Sequence, residues 1–187
     1  AWEPNVAGLL EMSGTSFTGN PASALSLCRD KFRTKAVLKS SGLPVPEGVL
    51  VNDAAQEIDL PFPVIVKPNS EDASLGIHPD SVVKDRSGLG IQINRIIKTY
   101  RQPALVESFI DGREFNVAVM EDSGIKALPV SEISFSGLSD SVSRICGYEA
   151  KWFEDHVLFN NTRPICPAPL PDELARNLQK MAEEAFK

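Results

Sequence analysis

The chain has 187 residues, 42% of them hydrophobic and 24% charged, with a formal net charge of −6. That is the make-up of a globular protein with enough material for one domain or two small ones. It excludes a bulk nucleic-acid-binding surface, because there is no long basic run, and no apolar run approaches the ~18–20 residues of a membrane-spanning helix. Cys28, Cys146 and Cys166 are odd in number, widely spaced and form no CxxC pair, so they are expected to be free thiols in a reducing compartment. The first residue is Ala1 rather than methionine, which leaves open a preceding segment, including a targeting one.

In chain order, Val6 to Met12 is a short apolar piece followed by the turn-rich "SGTSFTGNP". Pro21 to Lys39 has helical spacing, with a restart at Asp30, and "SSGLPVPEG" ends it through Gly42 and Pro44. Val49–Val51 and Val64–Lys67 read as strands. Ser87 to Arg101 reads as an amphipathic helix with Leu89, Ile93, Ile96, Ile97 and Tyr100 on one face. Ala104 to Ile110 is a strand, followed across Asp111–Gly112 by a second, Glu114 to Met120. Ile125 to Ile133 is a further strand that Pro129 demotes to an edge or bulge. Phe135 to Gly147, rich in Ser and Gly, is expected to be a mobile loop. Pro171 opens a last helix with Leu174, Leu178, Met181 and Ala185 on its apolar face. An α/β chain ordinarily continues from such a helix into another strand, so the sequence is expected to be a piece of a longer protein, with that apolar face partly exposed or used in association.

Four places invite a chemical reading beside a bland one. The strand "VIVK" runs into Lys67 and then a small-residue loop closed by Gly76. The lysine is either solvated over its apolar stem or aimed at an anion, with Ser70, Ser74 and Gly76 offering donors to phosphate oxygens. No Walker GxxxxGK[ST] run occurs. Glu107 and Glu114 are either outward carboxylates or a pair bracketing one polar ligand, such as a nucleotide's amino group and ribose hydroxyls. Lys151, in "YEAKW", is solvated or a further ammonium beside a phosphate. His78 and His156 lack the spacing of a zinc site.

The order of these runs carries more than any one of them. "DKFRTKAVLKSSGLPVPEG" (Asp30 to Gly48), "PVIVKPNSEDASLG" (Pro63 to Gly76), "ALVESFIDGREFNVAVM" (Ala104 to Met120), "YEAKW" and "CPAPLPDEL" (Cys166 to Leu174) together resemble the D-alanine–D-alanine ligase family of ATP-grasp enzymes. The resemblance implies an α/β (α+β) ATP-grasp architecture: residues 1–17 the tail of an N-terminal domain, 18–110 the central lid domain, and 111–187 an incomplete C-terminal domain. It implies ATP-dependent joining of a carboxylate to an amine through an acyl phosphate, in the cytoplasm, with Mg²⁺ and amino acids such as D-alanine as partners and a homodimer as the common assembly.

By matched position the resemblance assigns Lys31 and Lys67 to the ATP phosphates and Ser74 and Gly76 to the flap over them. Glu107 matches the acceptor of the adenine amino group, Ser108 and Ile110 the positions whose backbone completes adenine recognition, and Phe109 belongs to the same nucleotide-binding segment. Glu114 matches the ribose-binding glutamate. Lys151 matches the catalytic lysine near the γ-phosphate. These roles require the three lysines and two glutamates to face one nucleotide. Two departures stand out. Asp72, Ala73 and Ser74 replace a further glycine and a serine pair of the flap, and Trp152 stands where the family has tyrosine or phenylalanine. The family's magnesium ligands match no position here, so no metal-binding residue is assigned and the chain alone is expected not to turn over. Rival readings are a ligase for another amino acid or peptide, and a non-catalytic nucleotide-binding module.

Overall fold

The computed structural model describes residues 2–139 and 141–187, and the chain divides into two compact units, Ala1–Phe109 and Ile110–Lys187. In the first unit, α1 (Glu3–Met12) precedes α2 (Ala22–Arg29) and α3 (Lys31–Ser40). The piece read as Val6 to Met12 is thus a longer helix, started by Pro4 in its first turn. It packs on α2 and leaves Trp2, Val6, Leu9 and Met12 exposed. The restart at Asp30 is real. Asp30 leaves helical geometry (φ −87°, ψ 95°), and its carboxylate caps α3 by accepting from Arg33 N at 3.1 Å.

The sheet of this unit is antiparallel throughout, in the order β1 (Gly48–Val51), β4 (Ala104–Ser108), β2 (Val64–Pro68), β3 (Val82–Val83). The two-residue β3 and the 3-10 turn Pro79–Ser81 before it have no signal in the sequence. α4 (Arg86–Tyr100) follows, capped by Asp85, which accepts from Gly88 N at 2.8 Å, and closed by Arg101 in the left-handed region (φ 52°).

Strand alternation sends the two sheet faces to different uses. Val51, Val64, Val66, Val83, Ala104 and Val106 lie on one face and pack with Leu89, Ile93 and Ile96 of α4 into the core. Each of these Val, Leu and Ile side chains contributes about 1.5–3 kcal/mol on burial. Gly48, Ile65, Lys67 and Glu107 fall on the opposite face, where register sets Glu107 between Gly48 and Ile65. β4 ends at Ser108, two residues before the predicted Ile110, as Ser108 N donates to Glu47 O and Phe109 N to Pro63 O.

The second unit differs more from expectation. The predicted strand Glu114 to Met120 is two strands in separate sheets, β5 (Glu114–Asn116) and β6 (Val119–Glu121), parted at Val117–Ala118. The predicted strand through Pro129 is likewise two, β7 (Ile125–Ala127) and β8 (Ser131–Ser134). The stretch around the proline is left outside the ladders, since proline has no N–H to donate. β6 pairs with β7, and β8 lies between β5 and β9 (Arg163–Ile165). Residues 135–147 carry no helix or strand among those described. "YEAKW" is a short helix, α5 (Tyr148–Trp152), followed by α6 (Val157–Asn160), whose first turn His156 caps by accepting from Leu158 N at 3.2 Å.

α7 (Asp172–Phe186) starts immediately after Pro171. It packs against β7 and β6, yet none of its residues is buried and its apolar face stays partly exposed, as expected. Ala127 N donates to Glu183 Oε1 at 3.1 Å and Gln179 Nε2 to Leu128 O at 3.0 Å. Leu174 and Met181 remain 40% exposed. None of Cys28, Cys146 and Cys166 is joined in a disulfide.

Candidate nucleotide site

Glu107 lies on the sheet face opposite the main core, with Lys67 among the apolar Leu50, Ile65 and Leu105. The bland reading of an outward carboxylate is wrong: it is 4% exposed. Its Oε2 is held by Lys67 Nζ and its Oε1 by Lys35 Nζ. Burial pushes the Glu107 carboxyl up, but the charges of Lys67 and Lys35 and their hydrogen bonds outweigh it and hold the group below the usual carboxylate range. Lys35 does not stand out in the sequence, although it lies four residues after Lys31 and so on the same helix face. Gly48 is the second omission. A Cβ there would come within 2.8 Å of Lys35 Nζ and 2.9 Å of Glu107 Cγ, so only glycine leaves room for this pair beneath β1.

Lys31 begins α3 beside the same cluster. Burial depresses its ammonium below the ordinary lysine range; Asp72 opposes this, and Lys67 adds to it. Its Nζ donates to the carbonyl of Glu71 at the foot of the loop that follows β2.

That loop is anchored at both ends. Asn69, 4% exposed, accepts from Phe32 N at 3.0 Å through Oδ1 and donates through Nδ2 to Asp30 Oδ1 at 2.9 Å. Ser70 N donates to Gln102 Oε1 at 2.6 Å, and Gln102 Nε2 donates to Glu71 Oε1 at 2.7 Å. At the far end Gly76 sits at φ +80°, where an added Cβ would strike Pro68 Cγ at 2.6 Å and the Tyr100 ring at 2.9 Å. Arg95 ties this end to α4: its Nη1 donates to Asp80 Oδ1 at 3.0 Å and its Nη2 to Ser81 Oγ at 3.1 Å. Between the anchors Ala73 (φ 53°) and Ser74 (φ 62°) are also left-handed. The backbone therefore keeps a conformation glycine prefers at positions where this chain has no glycine, at a cost of about 1–2 kcal/mol each. The turn is closed on itself by Leu75 N donating to Asp72 O at 3.0 Å and Ile77 N to Ser74 O at 2.9 Å.

The first unit thus brings together Lys31, Lys67 and Glu107, and keeps Ser74 and Gly76 on the adjoining loop. Ser108 and Phe109 follow directly, but their N–H groups are committed to Glu47 and Pro63 carbonyls at 2.9 and 3.0 Å. The backbone carbonyls of this segment are the groups left to serve a purine.

In the second unit Ile110 is 69% exposed. Glu114 is half-buried on β5, and burial pushes its carboxyl up while Lys151 of α5 opposes the shift. Cys146 belongs to the same neighbourhood: burial raises its thiol, Lys151 pulls it down and Glu114 pushes it up. Beside β5, Arg113 grips Glu132 with two hydrogen bonds of 2.7 Å and stacks on Phe115 at 4.8 Å from the ring centroid. Arg113 and Glu132 also line a 450 Å³ cavity with Ser134, Phe135 and Arg144. Among the described residues no group of three or more His, Cys, Asp or Glu could hold a metal ion, so no metal ligand is assigned among them. For the phosphates of a nucleotide the fit is better, since cationic side chains and a left-handed loop adjoin one another.

Comparison with solved structures places the fold in a known class. The D-Ala:D-Ser ligase VanG of Enterococcus faecalis matches at a TM-score of 0.74 and 21% identity, over 97% of this chain and 50% of its own. The L-amino acid ligase of Bacillus licheniformis matches at 0.70 and 22%, over 98% and 38%. The fold is that of the ATP-grasp ligases. The family model described as "D-ala D-ala ligase C-terminus" matches residues 37–187, and the chain belongs to that family. Relatives include D-alanine–D-alanine ligases of Caulobacter sp. (36% identical, 97% of this chain and 54% of theirs) and Laribacter hongkongensis (33%, 96% and 54%). A Sinorhizobium fredii protein described only as uncharacterised is 31% identical over 98% of this chain and 52% of its own. The chain spans about half the length of the curated relatives it matches.

Proposed function

We propose that the protein carrying this chain is an ATP-dependent carboxylate–amine ligase of cell-wall synthesis. It acts in the cytoplasm, commonly as a homodimer, with D-alanine as the amino acid the family relationship favours. The observation that carries this reading is the Lys67–Glu107–Lys35 cluster, beside Lys31 and at the foot of a left-handed loop, in a member of this family. Lys31 and Lys67 hold ATP phosphates, and the loop through Ser74 and Gly76 closes on them. Glu107 accepts from the adenine amino group. Of the other adenine positions, Ser108 and Phe109 contribute packing or carbonyl oxygens rather than N–H donors, and Ile110 offers an exposed apolar side chain. Glu114 accepts from ribose hydroxyls, for which a carboxylate is a good partner.

In the reaction a carboxylate oxygen of one amino acid attacks the γ-phosphorus and ADP leaves. The amine of a second amino acid then attacks the acyl phosphate carbon, and phosphate and a proton depart from the tetrahedral adduct. Lys151 offsets negative charge on the phosphoryl group in flight, a task it shares with Mg²⁺ bound to the nucleotide. The central, lid and C-terminal roles of residues 18–110 and 111–187 follow from the same reading, with 1–17 as the tail of a preceding domain. Trp152, exposed where the family has tyrosine or phenylalanine, favours a second possibility, that the amine partner is not D-alanine.

The test is phosphate release by the full-length protein with ATP, Mg²⁺ and a panel of D- and L-amino acids. Release that depends on an amino acid and falls at least about a hundredfold in Lys67→Ala and Lys151→Ala is expected. ADP binding with no amino-acid-dependent release from any member of the panel would leave a non-catalytic nucleotide module instead.

A further inference from the structure

The nucleotide reading asks two things of one ion pair. Lys67 must serve phosphates, and Glu107 must present a lone pair to a purine amino group, yet Lys67 Nζ lies on Glu107 Oε2. A buried carboxylate stripped of its counter-charge is costly, so Lys67 cannot turn toward phosphate unless another cation stays behind.

Lys35 is placed for that. Its Nζ holds the other oxygen, Oε1, and its side chain is 14% exposed against 21% for Lys67, so it is the less solvated of the two. Gly48 has no Cβ and so leaves the ammonium room against the carboxylate: an added Cβ would lie 2.8 Å from Lys35 Nζ. It comes from α3, whose start is fixed by the Asp30–Asn69 contact, whereas Lys67 sits at the end of β2 next to the loop.

We infer that Lys35 is a positioning residue of the nucleotide site: a fixed counter-charge that keeps Glu107 ionised and oriented for a purine amino group, and so releases Lys67 to the phosphates. The inference rests on the nucleotide reading above. A carboxylate has about four lone-pair sites, so Oε1 can carry Lys35 and Oε2 can still accept from the base once Lys67 moves. The observed depression of the Glu107 carboxyl agrees with two cations on one group.

The experiment is calorimetric titration of the full-length protein with adenosine and with ADP, in wild type, Lys35→Met, Lys35→Arg and Lys39→Met. The quantity read is the ratio of the two dissociation constants, which isolates what the phosphates add. Lys35→Met is expected to cut that ratio by about tenfold or more, because Lys67 stays tied to the carboxylate. Lys35→Arg should retain most of it, and the exposed Lys39→Met all of it.

A purely structural Lys35 would weaken both ligands alike, and an unchanged ratio in Lys35→Met overturns the inference. Should Lys35→Met not fold, the paired Lys35→Met/Glu107→Leu variant leaves no unmatched buried carboxylate. It should restore the ratio while losing preference for adenosine over guanosine; a ratio still below wild type overturns the inference. Wild-type protein that binds no ADP sinks the nucleotide reading itself, and this inference with it.

Discussion

Replacing Glu107 by glutamine tests the electrostatics of the first unit without changing shape. The carboxylate holds Lys35 on one oxygen and Lys67 on the other, at side-chain exposures of 14% and 21%. Glutamine keeps one acceptor but turns an NH₂ toward the second ammonium, so a donor meets a donor and two cations share a face without an anion. Breaking a buried pair from one side costs about 3–5 kcal/mol. The partial exposure of both lysines puts this case near the lower end, at about 3 kcal/mol, against a total of about 5–15 kcal/mol for a domain. With a urea slope of about 2 kcal/mol/M, the midpoint should fall by about 1.5 M in a far-ultraviolet circular dichroism titration. The triple change Lys35→Met, Glu107→Leu, Lys67→Met should recover most of that, since apolar replacement of a whole buried ion group is often near neutral.

The effect also has a pH signature. Glu107 titrates lower in the folded chain than the 4.5 of a free glutamate. Its stabilising contribution is therefore present above about pH 4.5 and is lost as pH falls through the lower folded value, where the variant and wild type should converge. A midpoint shift below about 0.3 M at pH 7 would refute the reasoning.

Two further outcomes follow from the loop and from the second unit. Gly76→Ala should cost about 1–3 kcal/mol in unfolding free energy by urea titration, because φ is +80° and the new Cβ meets Pro68 and Tyr100; a neutral result would show that the loop end is not held as described. Glu114 is the opposite case to Glu107. Burial raises its folded titration point above 4.5, so its ionisation removes stability as pH climbs through that range, and Glu114→Gln should gain stability relative to wild type as pH rises from 4.5 toward 7. Chemical denaturation of both proteins across that interval reads it directly, and a gain that shrinks with rising pH would contradict the burial.

The order of strands and helices in the first unit was legible because its signals are local. Alternating valines, an Asp cap, a Gly and Pro stop, and apolar spacing at three and four residues each act within a few positions. The identity of the cluster was partly legible too: Lys67 and Glu107 stand out as charges inside apolar strands. Even so, the sequence taken alone favoured an outward Glu107, since burial depends on what covers a face, and that is decided by chain segments far away. Lys35 and Gly48, 72 and 59 residues from Glu107 along the chain, meet it only through the pairing of β1 with β4 and the approach of α3.

The second unit was read less well for a related reason. Its strands are three or four residues long, so little periodicity exists to detect, and the break at Val117–Ala118 reflects which sheet each half joins rather than any local breaker. Composition and short-range pattern thus determined the main strands and helices of the first unit, the last helix and the candidate charges. Tertiary structure alone decided which carboxylate is buried, which lysines neutralise it and which glycine makes room, because desolvation and Coulomb attraction depend on distance in space and not along the chain.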